Sequence, residues 1–419
     1  MNIKTKNIIQ FKLIARVLSL VLLILSFSFL LCMWIAYLYS EDLKPFIYSL
    51  IITLSLGVSL FLFSKDLDKN TDINRRNAYL IVTISWILVS LFDTLPYFFS
   101  KTIPMFVDEL FESVSGFTTT GASILTDIES LPKSILFWRS LTHWIGGIGI
   151  IMLVIIILPS LKMGGYHLFT SESSFQEKIK PKIKQVSSRL LFIYVTLTII
   201  ETILLLFGNM NLFESVCHSF ATISTGGFSP KNSSITLYSP YIQYVIMIFM
   251  LLAGTNYIIY YYLIKRDFFK ILKNEEFKFY LKIVFLLGFI ITLILIFKMH
   301  KPIELAFREA FFQVISIITC TGFSTADYLT WPKYAWIIIF FLMFIGGSTG
   351  STSGGIKIKR HLIFFKNLKI LFSKILHPHA YIALKINNKI ISDELNKSIL
   401  TFIFIYLITF LIGSFIMII

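Results

Sequence analysis

The chain has 419 residues, of which 56 % are hydrophobic and only 15 % charged. With a mean hydropathy of +0.78 it lacks the polar surface that a soluble domain of this size needs to cover its core. The basic residues behind the formal charge of +15 are concentrated in short segments between apolar runs, so it speaks for membrane topology and against nucleic acid as a partner.

In chain order, apolar runs cover residues 13–37, 43–64, 78–99, 135–161, 190–207, 241–264, 279–297, 334–345 and 400–419. Most approach or exceed the roughly 20 residues that a helix needs to cross a bilayer. An all-α polytopic membrane protein in contact with the lipid bilayer is expected. The first run is too long for a signal-peptide core, and no small-residue cleavage site follows it. Basic clusters at 4–16, 65–76, 162–184, 265–278 and 357–369 can all be placed on the cytoplasmic side, which puts the N-terminus there too. Cys32, Cys217 and Cys320 have neither CxxC spacing nor an even count, so no disulfide framework or zinc site is implied.

After the first two runs, a unit recurs at a period of about 100 residues. Each copy has a full span, a short amphipathic stretch, a Thr/Ser/Gly segment and a second span. The short stretches align on one glycine. The first runs from Asp108 to Thr118, Thr119, Thr120 and Gly121. The second runs from Glu214 to Ser224, Thr225, Gly226 and Gly227, and the third from Glu309 to Thr319, Cys320, Thr321 and Gly322. An acid stands at the same distance before each glycine, and a hydroxyl residue three places before it. Gly146, Gly254 and Gly346 sit at similar depth in the second spans.

A short helix followed by an extended Thr-Gly strand suits a re-entrant element, because irregular backbone at membrane depth must line protein or water. Glycine opens backbone angles that let successive carbonyls point toward an axis, and carbonyl rings can replace the water shell of a potassium ion. One Thr-Thr-Gly alone is more often a loop or a close helix contact; three aligned copies reverse that weighting. The acids Asp108, Glu214 and Glu309 fit helix starts, where negative charge complements the helix dipole. Asp93 and Glu201 are intramembrane acids and so functional candidates. A cap is the alternative for Asp93, and a neighbouring-helix partner for Glu201.

The segment containing Gly346, Gly347, Gly350, Gly354, Gly355 and Lys357 fails as a phosphate loop, since no Gly-Lys-Ser/Thr follows. It reads as a break in the third unit's second span and hence a gate; close helix packing is the alternative. The basic stretch after it reads as an amphipathic helix on the cytoplasmic side. His143, His218 and several serines are present, yet no GxSxG, HExxH or paired-aspartate motif accompanies them, so no enzyme is expected.

At these residues the chain resembles the Trk/Ktr/HKT superfamily of cation transporters, and its Trk branch in particular. Residues 115–123 resemble that family's first filter, 142–149 its first inner helix, 224–229 its second filter and 346–357 its intramembrane gate loop. The resemblance implies potassium uptake across the bacterial inner membrane through a selectivity filter formed by the Thr/Ser/Gly segments, without a covalently bound cofactor. It also implies four pseudo-symmetric units around one pore, a homodimer, and a cytosolic nucleotide-binding regulatory subunit acting on the gate. Some members of the superfamily pass sodium.

The expected organisation is two leading helices (1–76), pore unit 1 (77–187), pore unit 2 (188–278), pore unit 3 with the gate loop (279–390) and the first helix of a fourth unit (391–419). Judged by the first unit, about 60 further residues carrying a fourth filter and second span would be expected to follow. A truncated chain that is inactive, or that works only with a partner, is therefore the alternative reading.

Overall fold

The computed structural model describes residues 10–66, 75–160, 182–380 and 382–418. It is helical almost throughout, apart from one two-stranded hairpin. Two long helices lead: α1 (Phe11–Leu38) and α2 (Lys44–Phe63), packed on each other. The first repeat holds α3 (Arg75–Asp93), the short α4 (Leu95–Ser100), α5 (Phe106–Phe117) and α6 (Lys133–Ser160). The second holds α7 (Lys182–Phe207), α8 (Leu212–Ile223), α9 (Pro240–Ala253), α10 (Tyr257–Ile264) and α11 (Phe268–Lys273). The third holds α12 (Glu275–Met299), α13 (Ile303–Ile318), α14 (Lys333–Leu342) and α15 (Ile358–Leu376). The hairpin β1 (Lys385–Ile386) and β2 (Lys389–Ile390) and a last long helix, α16 (Asp393–Ile418), complete the chain. Among the described residues six helices are long and apolar enough to cross a membrane, and a seventh span results if α9 and α10 count as one.

Packing divides the chain into two compact units. The first gathers the described residues up to 160, then 182–249 and 321–323; the second gathers 250–320 and 324–418. In the first, the core is built from α1, α4, α5 and α6, around Phe29, Tyr97, Phe117 and Trp138. Phe29 and Trp138 rings approach to 4.7 Å. In the second, α12 packs on α13, with Phe289 of α12 edge-on to Phe311 of α13 at 5.3 Å.

Two sequence expectations change. The apolar run 241–264 is not one straight span: it breaks after Ala253 and bends by 96° before Tyr257. The hydropathy is continuous, but Gly254, Thr255 and Asn256 stop the helix. Asn256 caps α10, its side chain accepting from the Ile258 N–H. The hairpin was not anticipated, although Asn387 and Asn388, both at positive φ (48° and 63°), are a two-residue hairpin signal.

Candidate functional site

Each of α5, α8 and α13 is followed by the same backbone path. The helix ends at Thr118, Ser224 or Thr319. The next residue is left-handed: Thr119 at φ 56°, Thr225 at 55°, Cys320 at 58°. Two places on, glycine is left-handed again: Gly121 at 76°, Gly227 and Gly322 at 84°. In the first two copies the residue between donates its N–H five residues back, Thr120 to Ser115 (2.9 Å) and Gly226 to Ala221 (2.8 Å). That is the Schellman turn, which reverses a chain sharply at a helix C-terminus. Two of the three residues in the first left-handed position are threonines. A β-branched side chain there carries strain on the order of 1–3 kcal/mol, a level kept where function requires the geometry.

The hydroxyls of Thr118, Ser224 and Thr319 turn inward. They donate to the carbonyls of Val114 (2.6 Å), Phe220 (2.6 Å) and Ile315 (2.7 Å), each four residues back.

Within the first unit the strands touch in succession. A Cβ on Gly121 would stand 1.9 Å from the Gly226 carbonyl oxygen, and one on Gly227 would stand 1.7 Å from that of Thr321. Among the described residues, the equivalent atom on Gly322 meets nothing within 4 Å. The ring of His143, on α6, fills the space beside Gly226, stacks on Phe228 at 4.1 Å and accepts the Phe228 N–H at 3.4 Å. It acts as packing for the second strand.

The second-span glycines have local counterparts in both units. In the first, Gly147 leaves room for the Tyr194 hydroxyl and Ser224, and Tyr194 donates to the Trp144 carbonyl at 3.0 Å. In the second, Gly254 leaves room for the Tyr280 hydroxyl and Thr319, and Tyr280 donates to the Leu251 carbonyl at 3.3 Å. Gly147, one residue beyond the expected Gly146, thus matches Gly254. Gly146 itself lies against the Phe117 carbonyl oxygen, 2.0 Å from where its Cβ would be.

The acids divide. Asp108 is in the first turn of α5, as expected. Glu214 is in the first turn of α8, where it accepts from the Tyr238 hydroxyl (2.8 Å) and pairs with Lys231 (3.4 Å). Glu309 does not mark a helix start. α13 begins six residues earlier, after Pro302, and Glu309 pairs with Lys301 instead. Asp93 is no cap either: it is fully buried and accepts the Ser113 hydroxyl of α5 at 2.8 Å. Glu201 is buried on α7, and among the described residues its carboxylate oxygens make no hydrogen bond; the Thr222 hydroxyl is turned to the His218 carbonyl (2.7 Å).

The loops that leave the first two strands are tied at the surface. Asn232 accepts the Ile128 N–H (2.7 Å) and donates to Asp127 (2.9 Å), and this amide holds the Asp127 carboxyl below the usual carboxylate range. Lys231 lies between Glu129 (3.3 Å) and Glu214 (3.4 Å). Partial burial pulls its ammonium down, but the two carboxylates outweigh that and raise it.

In the second unit the helix stops at Leu342 and resumes at Ile358. Between them the loop closes on itself. Gly346 donates to Ile356 (2.9 Å), Ile358 to Gly347 (3.1 Å), and the Gly347 N–H reaches the Ser353 hydroxyl (2.8 Å). The loop also fills the break between α9 and α10: Ser348 donates to the Gly254 carbonyl (2.8 Å), Thr352 to that of Ala253 (3.4 Å), and Tyr257 to that of Gly350 (3.2 Å). These bonds satisfy carbonyls that the end of α9 leaves open. Glu276, at the start of α12, accepts the Thr349 N–H, and Lys357 donates to the Ser353 carbonyl. Cys320 is the third-strand residue that meets the loop: its Sγ would be 3.4 Å from a Cβ on Gly355 and 3.9 Å from one on Gly354. Among the described residues no group of three or more His, Cys, Asp or Glu could hold a metal ion.

Six long apolar helices, three short helices each followed by the same reversed segment, and a glycine-rich break between two helices together define a polytopic membrane protein. The family model of TrkH, described as a cation transport protein, matches residues 43–418. The chain is 32 % identical over 412 residues to the Trk system potassium uptake protein TrkH of Escherichia coli strain K12, covering 96 % of this chain and 85 % of that one. It is 33 % identical over 392 residues to TrkG of the same strain, covering 91 % and 80 %. The crystal structure of the potassium transporter TrkH from Vibrio parahaemolyticus aligns with a TM-score of 0.88 at 29 % identity, over 96 % of this chain and 84 % of that one. The chain belongs to the TrkH family of cation transport proteins. It is a membrane transporter and not an enzyme.

Proposed function

We propose that this chain takes up potassium, as the names of its relatives describe for them, and does so across a bacterial inner membrane. The ion-binding filter consists of residues 118–121, 224–227 and 319–322. The observation that carries this reading is the thrice-repeated path of left-handed residue, spacer and left-handed glycine. Backbone carbonyls exposed by such a turn present a fixed oxygen cage to a dehydrated cation. The chain is organised as two leading helices, three pore units and the first helix of a fourth, with the boundaries given above.

The loop through Gly346, Gly347, Gly350, Gly354, Gly355 and Lys357 is the gate, and its contact with Cys320 supports that role. The transporter works as a homodimer with its N-terminus in the cytoplasm, and a cytosolic nucleotide-binding subunit controls the gate. Rubidium tracer uptake into proteoliposomes tests the central reading. Uptake competed by potassium more strongly than by sodium is the expected result; purified, folded protein that passes no more tracer than empty vesicles would refute it.

A further inference from the structure

Behind the first two filter strands lies a buried cation that the filter reading does not use. Arg139, on α6, is 1 % exposed and Glu112, on α5, is fully buried. The guanidinium Nε and Nη2 both reach Glu112 Oε1, at 2.8 and 2.7 Å. Nη2 also donates to the Ser123 hydroxyl (3.2 Å), and Nη1 donates to the Ser229 carbonyl (3.4 Å). Its plane lies over the Phe228 ring, 4.1 Å from the centroid. Ser123 and Ser229 occupy the same place, two residues after the filter glycines Gly121 and Gly227. One side chain therefore holds the exits of two neighbouring strands.

The pairing on each pore helix repeats. Glu112 stands nine residues before Gly121, and its carboxylate accepts from the Ser123 hydroxyl (3.1 Å) and the Ile124 N–H (3.1 Å). His218 stands nine residues before Gly227, and its Nε2 meets the Ser229 hydroxyl at 3.0 Å. Each strand is thus pinned to its own helix, and Arg139 links the first pair to the second strand. Arginine suits this role, since its planar fork serves several acceptors at fixed angles where a lysine ammonium serves as a point charge.

We infer that Arg139 is a positioning residue for ion selectivity: it sets the spacing between the first and second filter strands, while Glu112 neutralises its charge so that it does not repel the passing cation. This rests on residues 118–121 and 224–227 being the filter. Discrimination between ions of different radius depends on where the oxygen ligands are held, so loosening one strand against the other should reduce selectivity before it abolishes flux.

The test compares rubidium and sodium flux for wild type, Arg139→Lys, and the neutral pair Glu112→Gln with Arg139→Gln, in proteoliposomes of matched protein content. Arg139→Lys retains the charge and the pair with Glu112, and should keep total cation flux while its rubidium-to-sodium ratio falls about tenfold, the equivalent of one charge-assisted hydrogen bond. The double variant should lose selectivity to a similar extent. Glu112→Gln alone, which leaves a buried cation beside the strand, should also reduce flux of both ions. A wild-type ratio in both Arg139→Lys and the double variant would overturn the inference while the filter reading stands. Absence of rubidium flux in the wild type would overturn both.

Discussion

The α-carbon of Gly121 lies so close to the Gly226 carbonyl oxygen that a methyl group at position 121 would come within 1.9 Å of it. Gly227 stands in the same relation to the Thr321 carbonyl, at 1.7 Å, whereas a Cβ on Gly322 would meet none of the described residues. All three have positive φ, so an alanine at any of them carries backbone strain of about 1 kcal/mol. At the first two a carbonyl of the next strand must also move. Gly121→Ala and Gly227→Ala should abolish rubidium uptake, and Gly322→Ala should reduce it less. Tracer uptake at equal membrane abundance checks the order.

The two Tyr–Gly arrangements, Tyr194 with Gly147 and Tyr280 with Gly254, predict matched phenotypes. Tyr194→Phe and Tyr280→Phe each remove one hydrogen bond to a carbonyl and should cost about 1 kcal/mol. Gly147→Ala and Gly254→Ala push a side chain into that hydroxyl and the strand's first residue, and should cost more than the Phe variants in the same repeat. Thermal unfolding in detergent reads both pairs.

Glu276 holds the glycine-rich loop from outside, through the Thr349 N–H. Glu276→Ala removes that acceptor while leaving the bonds of Ser348, Gly350 and Thr352 at the α9–α10 break. With the loop acting as the gate, this variant should raise basal flux in the absence of any regulator. Thr352→Val, which removes the 3.4 Å bond to Ala253, should raise it less. Basal flux unchanged in Glu276→Ala would count against the gate role.

Asp127 gives a pH signature at the surface. Its carboxyl is held below the usual range by the Asn232 amide, so its tie to Asn232 is fully present above the unfolded value, near pH 4, and is lost as pH falls through the folded one. The sign follows from linkage: protonation is favoured in the unfolded state. Limited pepsin digestion should cut the loops around 127 and 232 faster as pH drops below about 4, and Asp127→Asn should remove that dependence.

Much of this was legible in the sequence because the repeat supplies its own comparison. The three glycines and the hydroxyl residues before them stood out by internal alignment, and the glycine- and serine-rich composition of 346–357 read as a break in a span, although the helix already stops at Leu342. What was missed follows from physics that a linear pattern does not display. The left-handed Thr119, Thr225 and Cys320 escape notice because threonine and cysteine are poor signals for positive φ. The alignment on acids misplaced Glu309, since α13 starts earlier than α5 and α8 relative to its glycine. Arg139 and Glu112 are 27 residues apart, and only folding shows that they meet. The break at Gly254 lay inside an unbroken apolar run, although a Gly-Thr-Asn sequence in a span was a readable hint.

The most direct test of the account is anomalous diffraction from crystals grown in rubidium. It predicts a peak coordinated by backbone carbonyls of residues 118–121, 224–227 and 319–322. Ordered rubidium bound elsewhere in the membrane region, with none at those carbonyls, would contradict it.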